Sequence, residues 1–156
     1  MSTVVALSTP RGRGALAVVR LSGPLAMNIV TQMAELGDIE PRKAKLTKLT
    51  RDDQIIDEVI LTCFLAPHSL TGEDVVEISC HGSPAVVRSI VDATLALGAV
   101  LAGPGEFTLR ALSNGKINLA QAEAIRDLIA AQTDAAVKQA SRQLNGELSN
   151  ALGPFK

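Results

Sequence analysis

Two segments that lie far apart in this sequence repeat one short pattern, a strand followed at once by a helix. "VVRLSGP" begins at Val18 and "VVEISCHGSP" begins at Val75; each has two valines, one charged residue, an apolar residue and serine before its proline. Proline favours the first turn of a helix and glycine the position after the last turn, so the pattern predicts helices that stop at Gly37 and Gly98. A duplication is one origin of this similarity and chance is the other. In either case Arg20 and Glu77 occupy equivalent places before the N-terminus of a helix.

The segments between and after these units predict further strands. "KAKLTKL" and "IIDEVILTCFLA" flank the polar "TRDDQ", which is typical of two antiparallel strands joined by a turn, although no Asn-Gly or Asp-Gly pair specifies the turn type. "AVLAG" predicts one more short strand. The sheet is therefore expected to contain a hairpin as well as the two strands that precede helices.

The segment from Asn118 predicts one long helix. Asn118 and Gln121 are spaced as a capping box, and about 28 residues then follow without a helix breaker. Small and apolar residues recur along one side, namely Ile125, Ile129, Ala136, Ala140, Leu144 and Leu148. Such a helix would reach about 40 Å, beyond a domain of this size, so we expect its first half to dock through Leu119, Ile125 and Ile129. We infer that the rest of a helical bundle is missing and that the chain is part of a larger protein.

The charge of Glu77 lies within an otherwise apolar strand. Strand alternation places Glu77 on the face opposite to Val76 and Ile78, away from the main core. One interpretation is a carboxylate on a solvated sheet face, or in an exposed ion pair with Arg20 that contributes about 0 to 1 kcal/mol. The other is a pocket in which this carboxylate, two long cations and a glycine-rich turn bind a ligand that carries both donors and negative charge.

Composition excludes several classes of function. With 15 basic and 16 acidic residues, no Trp and no Tyr, the chain has neither the charge nor the aromatic surface to bind nucleic acid alone. Cys63 and Cys80 are interpreted as reduced, partly buried thiols without metal-ligand spacing, and His81 as a strand-end residue without a catalytic partner. We therefore expect no catalytic residue and no metal site. No segment predicts a signal peptide or a membrane span, so we expect a cytoplasmic protein that does not bind membranes.

Three stretches, taken together and in order, resemble one known family. They are "TPRGRGALAVVRLSG", "SLTGEDVVEISCHG" and "PGEFTLRALSNGKINLAQAEAIRDLI". In this combination they are similar to the N-terminal region of the MnmE (TrmE) family of tRNA-modification GTPases, and the resemblance covers nearly the whole chain. It implies an α+β fold, with a mixed sheet and helices packed on it, similar to the folate-binding domain of the glycine-cleavage T protein and followed by the long C-terminal helix.

The resemblance also implies two domains with different roles. Residues 1–117 would form the folate-binding and dimerisation domain, and residues 118–156 the first helix of a helical domain. The ligand would be 5-formyltetrahydrofolate or a related tetrahydrofolate, held by Arg20, Glu77 and Lys116 near a homodimer interface. A carboxylate can accept two N–H groups from the edge of a pterin, which gives Glu77 a chemical role. Which cation contacts which ligand group remains open.

The implied parent protein modifies the wobble uridine of tRNA, with folate as the one-carbon donor. It would act with the flavin-dependent partner MnmG (GidA) and meet tRNA through the full complex. GTP, potassium and magnesium would bind in a GTPase domain that this chain does not contain, so we expect the chain alone to hydrolyse nothing. Two alternatives stay open, a purely structural dimerisation domain and a free-standing folate-dependent transferase; the unpartnered long helix argues against the second.

The sequence departs from the family pattern at four positions. Ser83 stands where a second glycine is usual, Leu70 and Leu112 replace aromatic residues, and Asn118 replaces an aspartate. None of these changes removes an implied ligand-binding residue. The two lost aromatics would alter the rim of the pocket.

Overall fold

The computed structural model describes residues 1–146. The chain forms two compact units, Met1–Phe107 and Thr108–Lys156. These compact units do not test the functional boundary predicted between a folate-binding domain, residues 1–117, and a helical domain, residues 118–156, which stays a prediction. The strands are β1 (Val4–Leu7), β2 (Gly14–Ser22), β3 (Lys45–Arg51), β4 (Gln54–Phe64), β5 (Val75–Gly82) and β6 (Val100–Leu101). The helices are α1 (Ala26–Met33), α2 (Pro84–Ala96), α3 (Glu106–Ser113), α4 (Leu119–Ala130) and α5 (Asp134–Leu144).

A six-stranded mixed sheet forms the first unit, in the order β3-β4-β5-β2-β1-β6. Only β6 runs parallel to its neighbour, β1, and the other four pairings are antiparallel. Helices α1 and α2 pack on this sheet. Their buried residues join one apolar core with the inward residues of the central strands, among them Val19, Leu21, Val76 and Ile78. The α+β class with a mixed sheet is thereby confirmed.

The hairpin of β3 and β4 forms as predicted, with a turn that the sequence did not specify. Arg51 pairs with Gln54, so Asp52 and Asp53 alone make the turn. Both have positive φ, 52° and 61°. A two-residue turn with positive φ at both positions is type I′, which matches the twist of antiparallel strands. Asparagine and aspartate tolerate this conformation better than other side chains, which explains how Asp-Asp replaces the expected Gly-containing pair.

Of the two predicted helices, α2 matches the prediction and α1 is shorter. In α2 the Ser83 hydroxyl accepts from the backbone N–H of Val86, and Pro84 is the first helical residue. In α1, by contrast, Pro24 precedes the helix instead of opening it, and the helix ends at Met33, before Gly37. Leu25 is the N-cap residue, and its backbone N–H donates to Thr3 Oγ1 at 2.7 Å, which ties the start of the helix to the N-terminal segment. The start of α1 is therefore fixed by a contact that local sequence does not reveal.

The prediction of one long helix from Asn118 is wrong. The Asn118–Gln121 capping box does begin α4, but the chain becomes extended at Ala131 and turns. The Thr133 hydroxyl then accepts from the backbone N–H of Ala136 and begins α5. The missed signal is "TDAA", a threonine cap followed by an acidic residue in the first turn.

Helices α4 and α5 pack against each other within the second unit. Gln121 Nε2 donates to the carbonyl oxygen of Leu144 at 3.0 Å, joining the start of α4 to the end of α5. Leu119 and Ile129 are 62% and 81% exposed. The docking expected for Leu119, Ile125 and Ile129 stays a prediction. Small residues, such as Ala124 and Ala140, are buried instead. The predicted stripe extended to Leu148, which lies outside the described residues.

Candidate ligand-binding site

Arg20 and Glu77 form the centre of the candidate site. They are direct partners in the register of β2 and β5, on the face opposite to the apolar core. Arg20 Nε and Nη2 both donate to Oε1 of Glu77, at 3.1 and 3.0 Å. The two side chains are 22% and 32% exposed. Within residues 1–146, Oε2 of Glu77 and Nη1 of Arg20 make no hydrogen bond, so the pair keeps one acceptor and one donor for another group.

Phe107 holds the guanidinium of Arg20 from a second direction. Its ring centroid lies 5.3 Å from Cζ of Arg20, a cation–π geometry. The local fold of "GPGEF" presents this ring: Glu106 Oε2 accepts from the backbone N–H of Gly103 at 2.6 Å, and Gly105 has φ of +67°. Sequence reasoning recognised this motif but gave Phe107 no role. The available signal was the scarcity of aromatic residues, since a chain with three Phe has few rings to place over a cation.

The "TGED" segment closes one end of the same sheet face through a ring of hydrogen bonds. Ser22 Oγ donates to Glu73 Oε2 at 2.6 Å, and Ser22 Oγ and Thr71 Oγ1 are 2.7 Å apart. A serine has one hydroxyl proton, so Thr71 must be the donor in that second contact. The backbone N–H of Glu73 donates to Thr71 Oγ1 at 3.2 Å and completes the ring. Ser22 and Thr71 are fully buried, which shows that this segment covers the sheet next to Arg20.

His81, one residue before the end of β5, contacts Asp57 at two points. Asp57 Oδ2 accepts from the backbone N–H of His81 at 2.9 Å, and Oδ1 lies 2.8 Å from Nδ1 of its ring. The His81 side chain is 70% exposed, whereas that of Asp57 is 12% exposed. Gly82 follows because a Cβ there would lie 2.3 Å from the carbonyl oxygen of Gly14 on β2. The strand-end position predicted for His81 is confirmed, and the contact with Asp57 fixes the orientation of its ring.

Lys116, the third predicted site residue, belongs to the second unit. It is exposed, and its backbone N–H donates to the carbonyl oxygen of Ala111 at 2.9 Å, just after Gly115 with φ of +71°. The hydrogen bond closes the end of α3. The structure thus brings Arg20 and Glu77 together within one unit, and the ligand role of Lys116 stays a prediction.

The two cysteines are buried and free, as expected. Burial raises the pKa of the Cys63 thiol. Burial also raises the pKa of Cys80, and the negative charge of Asp57 adds to that increase. Both thiols therefore stay protonated near neutral pH and are poor nucleophiles. Within residues 1–146, no group of three His, Cys, Asp or Glu side chains is placed to hold a metal ion, and no helix is long and apolar enough to cross a membrane.

Comparison with known proteins identifies relatives along the whole chain. The family described as "GTP-binding protein TrmE N-terminus" matches residues 3–116. The tRNA modification GTPase MnmE of Wolinella succinogenes is 52% identical over 147 residues, which cover 94% of this chain and 32% of that protein. The proteins of the same name from Koribacter versatilis and Thermotoga maritima are 45% and 46% identical over 160 and 157 residues, covering 99% and 100% of this chain and 35% of each relative. The chain thus spans about a third of the length of these relatives.

Proposed function

Since the chain belongs to the family of TrmE N-terminal domains, we propose that it is the tetrahydrofolate-binding and dimerisation part of a GTPase that modifies the wobble uridine of tRNA. Arg20, Glu77 and Lys116 bind 5-formyltetrahydrofolate or a related tetrahydrofolate, which supplies a one-carbon unit. GTP, potassium and magnesium are bound elsewhere in the parent protein. Its partners are a second copy, the flavin-dependent MnmG (GidA) and, through the full complex, tRNA in the cytoplasm.

One observation carries the folate proposal, the incomplete ion pair on the sheet face. Oε2 of Glu77 and Nη1 of Arg20 make no hydrogen bond to the protein within residues 1–146. The pyrimidine edge of a pterin presents N–H donors next to a carbonyl acceptor. Glu77 can accept from those donors and Arg20 can donate to the carbonyl, which makes the pair complementary to this edge. Lys116 supplies a further cation for the formyl oxygen or the glutamate tail.

The dimerisation part of the proposal is supported by apolar side chains on the same sheet face. Leu46 on β3, Ile60 on β4 and Leu16 on β2 are all exposed there. Exposed apolar residues in neighbouring strands favour contact with another protein surface. A second copy that contacts this face beside the ligand, and not in its place, would bring the ligand close to the interface of a homodimer.

A purely structural dimerisation domain is the second candidate, and the ion pair itself favours it. Arg20 already neutralises Glu77 without any ligand. The sequence argument against a free-standing transferase was a long helix without a partner. That argument no longer holds, because α4 and α5 pack on each other. The relatives, however, are named as GTPases, which favours a part of such a protein.

Calorimetric titration with 5-formyltetrahydrofolate distinguishes the two candidates. We expect saturable binding by the wild-type chain and a loss of about 1.5 to 3 kcal/mol in Glu77→Ala, because charged acceptors of a buried pterin edge are removed. Glu35→Gln, which changes an exposed carboxylate next to α1, is the matched control and should bind as wild type. Wild-type affinity in Glu77→Ala would exclude the assigned role of Glu77. Light scattering on the same samples tests the dimer.

A further inference from the structure

His81 lies on the same face of β5 as Glu77, at its other end. Side chains alternate along a strand, so Glu77, Ser79 and His81 share one face. The four residues from Glu77 to His81 span about 13 Å at roughly 3.3 Å per residue.

The covering of the sheet face determines which way an elongated ligand can extend from Glu77. Towards the start of β5 the face is covered, since Ser22 and Thr71 are fully buried there. Towards His81 it is open: Ile60 and Leu16 are 44% and 68% exposed. Ile60 is the cross-strand partner of Ser79, and Leu16 is the partner of His81. The open direction therefore offers an apolar surface for an aromatic ring and then an imidazole.

The contact with Asp57 determines what this imidazole can do. A carboxylate only accepts hydrogen bonds, so the His81 nitrogen that contacts Asp57, Nδ1, carries a proton. The other nitrogen, Nε2, makes no hydrogen bond to the protein within residues 1–146. When Nε2 is also protonated, it donates to an incoming carboxylate while Asp57 balances the positive charge. This is the chemistry of an anion-binding group at an exposed position.

We propose that His81, oriented by Asp57, binds the glutamyl carboxylate end of the folate whose pterin edge contacts Arg20 and Glu77. The assignment rests on the proposed function. It divides the sheet face into a polar end at Glu77, an apolar middle at Ile60 and Leu16, and an anion-binding end at His81. None of the side chains in the middle and at the far end belongs to the implied ligand set.

A pair of ligands that differ only in the tail tests the assignment by calorimetry. The first is 5-formyltetrahydrofolate and the second is the same compound with both glutamyl carboxylates converted to amides. We expect His81→Ala to weaken binding of the acid about threefold to tenfold, the worth of one charge-assisted hydrogen bond, and to leave binding of the diamide unchanged. Asp57→Asn should act in the same direction on the acid alone. His68→Ala, at the other histidine and also exposed, is the control and should change neither.

The possible results separate this inference from the proposed function. If the wild-type chain binds both ligands and His81→Ala weakens both equally or neither, the role of His81 is wrong and the folate site stands. If the wild-type chain binds neither ligand, the folate proposal falls and this inference falls with it. Thermal unfolding of each variant verifies that an affinity change does not come from a damaged fold.

Discussion

Arg20 and Glu77 lie opposite each other on neighbouring antiparallel strands, and two nitrogens of Arg20 share a single oxygen of Glu77. A side-by-side arrangement, with one nitrogen on each oxygen, is the stronger geometry for such a pair. The observed arrangement is the weaker one, and it leaves Oε2 without a hydrogen bond to the protein within residues 1–146. The pair is thus better suited to contact a third group than to hold two strands together.

The first prediction concerns the coupling between these two residues. A double-mutant cycle of Arg20→Ala and Glu77→Ala should give a coupling free energy of about 0 to 1 kcal/mol in urea unfolding, because both side chains are partly solvated. Unfolding of each single variant and the double variant provides the measurement. A coupling well above that range would show that the pair is built for stability and would favour the purely structural candidate.

The second prediction concerns Phe107. Phe107→Leu should reduce stability by about 0.5 to 1 kcal/mol through the lost cation–π contact, in addition to the change in packing. That part should vanish in an Arg20→Ala background, where no cation faces the ring. Phe64→Leu is the matched control, because within the described residues no cation lies over the Phe64 ring. Equal effects of Phe107→Leu with and without Arg20 would refute the contact.

The third prediction concerns the ring formed by Ser22, Thr71 and Glu73. Ser22→Ala and Thr71→Val should each lower the free energy of unfolding by about 1 to 3 kcal/mol, because each removes a hydrogen bond between buried groups. The double variant should cost less than the sum, since the ring is already broken by the first change. Thr31→Val, at an exposed hydroxyl on α1, should change stability little. Strict additivity in urea unfolding would argue against a closed ring.

The fourth prediction concerns the turn of the β3–β4 hairpin. Asp53→Gly should raise the free energy of unfolding by about 1 kcal/mol, because glycine adopts positive φ without the steric cost that an L-residue meets. Asp38→Gly is the matched control: Asp38 is exposed and its φ is not positive, so the same change should not stabilise. Thermal unfolding compares the two. A stabilisation that is equal at both positions would point to charge removal instead of backbone strain.

Local signals in the sequence account for several elements of the fold. The cap at Ser83, the proline after it and the apolar spacing that follows predict α2, and alternating residues predict β5 with Glu77 on the outer face. The capping box at Asn118 also forms as predicted. These features depend on residues a few positions apart, so the sequence contains the whole interaction.

The tertiary structure decided which residues far apart in the sequence come into contact. Arg20 and Glu77 are separated by 57 positions, and the register that joins them follows from the packing of all central strands on one core. Phe107 over Arg20 and Thr71 against Ser22 are long-range contacts of the same kind. The sequence by itself determined the local elements and the family of this protein. Only the fold decided which side chains meet, because strand register is set by the burial of the whole apolar surface.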